Sequence, residues 1–137
     1  MPKISFYLIE KKPLRQADLA CRLCQKISPK HRIWLYFNNQ AQLDDWDLEL
    51  WKNDAVSFLP HGVDQLNQPI CLSLNPPNMS FDVCFNLTGQ ALDFQKLLNN
   101  DTHIIEIIEN NEQDKQIARE RFKQYRQLGV EPVIHRI

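Results

Sequence analysis

Side chains able to do chemistry are few in this sequence, and their spacing limits what each could do. Cys21 and Cys24 form a Cys-x-x-Cys pair, the spacing of redox dithiols and half a zinc site. Ala17, Leu19, Ala20, Leu23 and Ile27 surround them at helical intervals, which turns both thiols inward as small hydrophobes. Cys71 and Cys84 are singletons, and His31, His61, His103 and His135 are scattered, so no second ligand pair completes a metal set. Asp44, Asp45 and Asp47 fall on a helical pattern without the loop ligands calcium needs, and read as a solvated face. His61, in SFLPHG, reads as an exposed loop histidine with no partner group to make it catalytic.

Glycine-rich phosphate loops are excluded on similar grounds. The only glycines are Gly62, Gly89 and Gly129, so neither G-x-G-x-x-G nor G-x-x-x-x-G-K-[ST] can be assembled. The first strand leaves through Glu10, Lys11, Lys12 and Pro13, side chains too bulky for a backbone cradle. G-x-S-x-G is also absent, and no serine or cysteine stands in a nucleophile signature beside a histidine. The expectation is a chain with no catalytic residue, no metal and no cofactor.

One stretch points to recognition rather than reaction. Lys115 to Gly129, KQIARERFKQYRQLG, advances about 100° per residue as a helix. Ile117, Leu128, Tyr125, Ala118 and Phe122 then share an apolar arc, and Lys115, Arg126 and Arg119 continue it just past Phe122. Lys123 and Glu120 fall further round. Arg121 projects into the apolar arc, where an unpaired guanidinium is costly, so a buried carboxylate or carbonyl partner is expected. The stripe is a local feature: residues 115–137 hold six Lys or Arg against two Glu, while residues 1–114 hold ten against fifteen acids. A solvated helix face complementing the macrodipole is the bland alternative; a docking face for an acidic peptide is the sharper one. A second feature, Trp51 and Phe58 bracketing the polar KNDAVS, fits core packing and a protein-contact patch equally.

These residues need elements to hold them, and strand and helix patterns alternate along the chain. Ser5–Ile9, Arg32–Phe37, Val56–Leu59, Ile70–Leu74, Phe81–Leu87 and His103–Glu109 read as strands, with Val133–His135 as an edge strand. Gln16–Ile27, Gln40–Trp51, Gln90–Leu98 and a long segment from Asn111 read as helices, the last ending at Gly129. A loop is expected around His61 and Gly62, and a break at Asn75 to Asn78. The fold class is α/β: a single three-layer domain over 1–137, with a mostly parallel central sheet flanked by helices, nucleotide-binding-like but without a phosphate loop. Residue counts of 43% hydrophobic and 24% charged suit a self-sufficient globule. Neither a signal-peptide core nor a bilayer-length apolar run is present, so a cytoplasmic protein is expected.

Taken together, FYLI at Phe6–Ile9, the stretch from Leu50 to His61 and ARERFKQYRQLG at Ala118–Gly129 resemble the chi subunits of bacterial DNA polymerase III, components of the clamp-loader assembly. Between Gly62 and Leu87 the likeness is weak. The resemblance implies a non-catalytic replisome adaptor that joins the acidic C-terminal tail of single-stranded DNA-binding protein to the psi subunit, and through psi to the clamp loader. It places the tail site at Arg119, Phe122, Lys123 and Gly129. It places the psi-facing patch at Trp51 and Phe58, a surface relatives also use for a helicase-like repair partner. Phe122 stands where some relatives have tyrosine. Direct nucleic-acid contact and membrane association are not implied, and the net charge of −1 supplies no general drive toward either. Two other readings remain: a degenerate nucleotide-binding α/β enzyme, and a direct single-stranded nucleic-acid binder using the basic helix.

Overall fold

Alternating apolar residues in short runs, separated by helical segments, assemble a parallel sheet with helices on both faces. The computed structural model describes residues 3–11, 14–28, 30–52, 61–64, 68–77, 79–92 and 101–137. In chain order the elements are β1 (Lys3–Leu8), α1 (Gln16–Ile27), β2 (Ile33–Tyr36), α2 (Gln40–Lys52), β3 (His61–Val63), β4 (Ile70–Ser73), β5 (Val83–Asn86), β6 (His103–Ile108), α3 (Glu112–Gln127) and β7 (Val133–Arg136). Among the described residues the sheet has seven strands in the order β3-β4-β2-β5-β6-β1-β7, and every pairing is parallel.

Strand period two splits the core into two layers. Ile33, Leu35, Ile70, Leu72, Phe85, Ile105 and Ile107 face α1 and α2, where they meet Leu19, Cys24, Leu43, Trp46 and Leu50. Ile4, Phe6, Trp34, Cys71, Cys84, Ile104 and Ile108 face the other way, toward Ala118, Tyr125 and Val130. The helix α3 is therefore the described cover of the second face, lying over the β5-β6-β1 part of the sheet. β7 extends the sheet beyond it, and that geometry creates the site described below.

Most expected elements form within a residue or two of their anticipated bounds. His61 is different: it is 7% exposed and starts β3, paired with Ile70 of β4, rather than standing in a loop. Three residues between apparent breakers gave too short a pattern to read as a strand, and pairing with β4 is what orders them. The expected strand Val56–Leu59 lies outside the described residues. Gln90, Ala91 and Leu92 are not helical, and the remainder of that expected helix, 93–98, also lies outside them.

Candidate functional site

The placement of α3 begins with a buried charge. Glu106 interrupts the apolar run of β6, lies in register with Phe6 of β1, and is fully buried on the face that α3 covers. Its Oε1 stands 3.1 Å from Nε of Arg121, itself 8% exposed. The two atoms are in ion-pair contact without hydrogen-bond alignment. Oε2 accepts from the Tyr125 hydroxyl at 2.6 Å and from Asn86 Nδ2 at 2.8 Å. The Tyr125 oxygen in turn accepts from Leu92 N at 3.0 Å. Burial pushes the Glu106 carboxyl up to about 6, against the opposing pull of Arg121, Tyr125 and Asn86. Arg121 thus has the carboxylate partner its position demanded, and the network fixes the rotation of α3 over the sheet.

With Arg121, Ala118 and Tyr125 turned to the sheet, the basic side of α3 must overhang β1 and β7. There the chain forms an open groove of about 520 Å³, lined by Phe6 and Leu8 from β1, Ile134 and Arg136 from β7, and Lys115, Ala118, Arg119, Phe122, Lys123 and Arg126 from α3. Phe122 is half-buried and packs edge-on against Phe6, ring centroids 5.6 Å apart; Phe6 contacts Tyr125 similarly at 6.1 Å. The floor is consequently apolar and braced by the core, while the rim is cationic.

The rim cations differ in how they are engaged. Arg126 pairs with Glu131 at 3.2 Å and Arg136 with Glu10 at 2.8 Å, both exposed pairs that a competing carboxylate can replace at little cost. Arg119 bonds the Gln116 amide oxygen, at 3.1 Å. Among the described residues Lys115, Arg119 and Lys123 make no ion pair. A groove with this floor and rim can hold an extended ligand carrying negative charge and at least one apolar side chain.

Three of the sequence-derived site residues, Arg119, Phe122 and Lys123, line this groove together. Gly129 does not line it; with φ +92° it ends α3, and the Val130 N–H reaches back to the Tyr125 carbonyl at 3.1 Å. Trp51 is 58% exposed at the end of α2, its ring 4.3 Å from that of His61, and Phe58 lies outside the described residues. Because β3 and β7 are the two ends of the sheet, Trp51 and the groove sit at opposite edges of the molecule. Ile134 and Arg136 were missed, since VIHRI resembles any short edge strand; its alternation of Ile134 with Arg136 was the available signal. Ile117 and Leu128, assigned to the apolar arc, are instead exposed and line a second cavity of about 730 Å³ with Gln90, Ala91 and Leu92. The sheet contacts a narrower arc of α3 than the one its apolar residues mark out.

The remaining candidates lie away from the groove's rim and floor. Cys21, Cys24, Cys71 and Cys84 are buried thiols outside any disulfide. Burial pushes the Cys21 thiol up to about 11 and that of Cys24 higher still, the opposite of an activated thiolate. Asp44 and Asp45 are exposed, and among the described residues no cluster of His, Cys, Asp and Glu could hold a metal ion.

Comparison with known proteins agrees with the sequence resemblance. Residues 1–133 match the family model described as DNA polymerase III chi subunit, HolC. The chain is 29% identical to the DNA polymerase III subunit chi of Pseudomonas aeruginosa, across 100% of this chain and 98% of that protein. It is 30% identical to the subunit of the same name from Haemophilus influenzae, across 90% of each. Among solved structures the C-terminal domain of the DEAD-box protein Dbp5 is similar in fold, with a TM-score of 0.63, 8% identity, and coverage of 96% of this chain and 90% of that one.

Proposed function

The chain belongs to the DNA polymerase III chi subunit family, and from that membership we propose that it is a non-catalytic adaptor of the bacterial replisome. Its α3 groove captures the acidic C-terminal tail of single-stranded DNA-binding protein, and its Trp51 and Phe58 surface holds the psi subunit, hence the clamp loader. The observation that carries this reading is the convergence of Arg119, Phe122 and Lys123 on one open, apolar-floored groove. Arg119 and Lys123 engage the tail's carboxylates, Phe122 shapes the socket for its terminal phenylalanine, and Gly129 holds the neighbouring turn. Since Phe122 has no hydroxyl, it contributes contact area rather than a hydrogen bond.

A bridge needs two surfaces that do not compete, so that holding one partner raises the effective concentration of the other. The opposite-edge placement of Trp51 and the groove supports that requirement. The test is a three-component mixture of this protein, psi and a labelled tail peptide, followed by size-exclusion chromatography. The peptide should elute with the psi-bound species, and mutual exclusion of psi and peptide would refute the bridge. Trp51→Ala should abolish psi capture and leave peptide affinity unchanged; loss of both functions in a folded variant would refute the division into two surfaces.

A further inference from the structure

We propose that the open edge of β7 is itself part of the binding surface, and that an extended acidic peptide docks along it as an added strand, hydrogen-bonded to the backbone of Ile134 and Arg136. This rests on the reading of the groove given above and states how the peptide is held.

The register of β7 decides which of its backbone groups face outward. Ile137 donates its N–H to the Leu8 carbonyl at 2.9 Å and accepts from Glu10 N at 2.7 Å, so its backbone faces β1. Strand alternation then turns His135 toward β1 as well, and points the N–H and C=O of Ile134 and Arg136 outward. β7 is the terminal strand of the sheet, and no described element pairs with its outer side. The same two residues send their side chains into the groove, opposite Phe6 and Leu8 in the register. Unpaired backbone groups and groove side chains therefore lie along one line.

Sheet edges are ordinarily blunted by proline, bulges or a covering element. Among the described residues β7 has none of these within Val133–Arg136, and Val133 and Ile134 are about half exposed, at 46% and 47%. An edge left open beside a cationic rim fits a peptide that brings both backbone groups and negative charge. Alternate side chains of the added strand would meet Phe122 and Ile134 on the groove side. Carboxylates there would reach Arg119 and Lys123, which make no ion pair among the described residues.

A backbone N-methylation series tests the mode. A fluorescent acidic peptide ending in proline and phenylalanine is titrated against the full chain, alongside copies methylated at one amide each upstream of the proline. Methylation removes a single donor and leaves charge and side chains intact. The proposal expects losses of about tenfold at alternate amides with little change between them, and slowed amide exchange at Ile134 and Arg136 on binding. Tight binding by the parent peptide with no alternation, and no change at those amides, overturns strand addition while leaving the groove reading intact. Failure of the parent peptide to bind overturns both.

Discussion

Arg121 and Glu106 occupy positions where a charged residue is costly unless partnered, and each supplies the partner of the other. Removing one member strands the second. Arg121→Ala is expected to destabilise the protein by about 3 to 5 kcal/mol, measured by urea denaturation, whereas Lys123→Ala should leave stability unchanged. Glu106 also sets a pH dependence. Burial pushes its carboxyl in the fold up to about 6 against an ordinary 4.5, so between those two pH values the fold retains a proton that the unfolded chain has released. The corresponding contribution is fully present below about 4.5 and is lost as pH rises through about 6, on the order of 2 kcal/mol. His103, held below its ordinary 6.5 by burial and then by Lys3 and His135, tilts stability the opposite way. Comparing the parent with Glu106→Gln isolates the Glu106 slope, which the variant should lack; equal slopes between pH 4.5 and 6 would contradict the assignment. The need for a partner to Arg121 was legible in the helical period of the sequence. Glu106 as that partner was not, because a parallel crossover brings residues fifteen apart into contact only once strand register is known.

α3 carries the helical side of the candidate site, and its ends determine how the basic side is presented. Asn111 caps its start, Oδ1 accepting from Asp114 N at 2.8 Å, and Asn111→Ala should cost about 1 kcal/mol. Gly129 terminates it in a left-handed conformation, φ +92°, so Gly129→Ala should cost about 1 kcal/mol as well. Thermal melts check both, and an unchanged midpoint in either variant would show that the cap does not hold the helix. Both ends were legible, since capping and glycine termination are local in sequence. The groove was legible only on its helical side. Its other wall, Ile134 and Arg136 on β7 with Phe6 and Leu8 on β1, depends on β7 pairing beyond α3, and no local pattern records which strand a terminal segment will join.

Across the whole molecule, charge and topology divide the surface. The basic end of an otherwise acidic chain is concentrated on α3 and β7, at one edge of the sheet, while Trp51 lies beside β3 at the other. The alternation of apolar strands and amphipathic helices made the α/β class readable from the sequence; the strand order did not follow from it, because it is set by long-range crossovers. Shared architecture with the Dbp5 domain at 8% identity speaks for the fold alone. The proposed role of the α3 groove is capture of an acidic tail through its cationic rim and apolar floor. It is tested most directly by titrating a labelled tail peptide into the parent protein and Lys123→Ala at low and high salt. Lys123→Ala should weaken binding by about 1 to 2 kcal/mol, and added salt should weaken binding to the parent. A folded Lys123→Ala protein that binds as tightly as the parent, with affinity indifferent to salt, would contradict it.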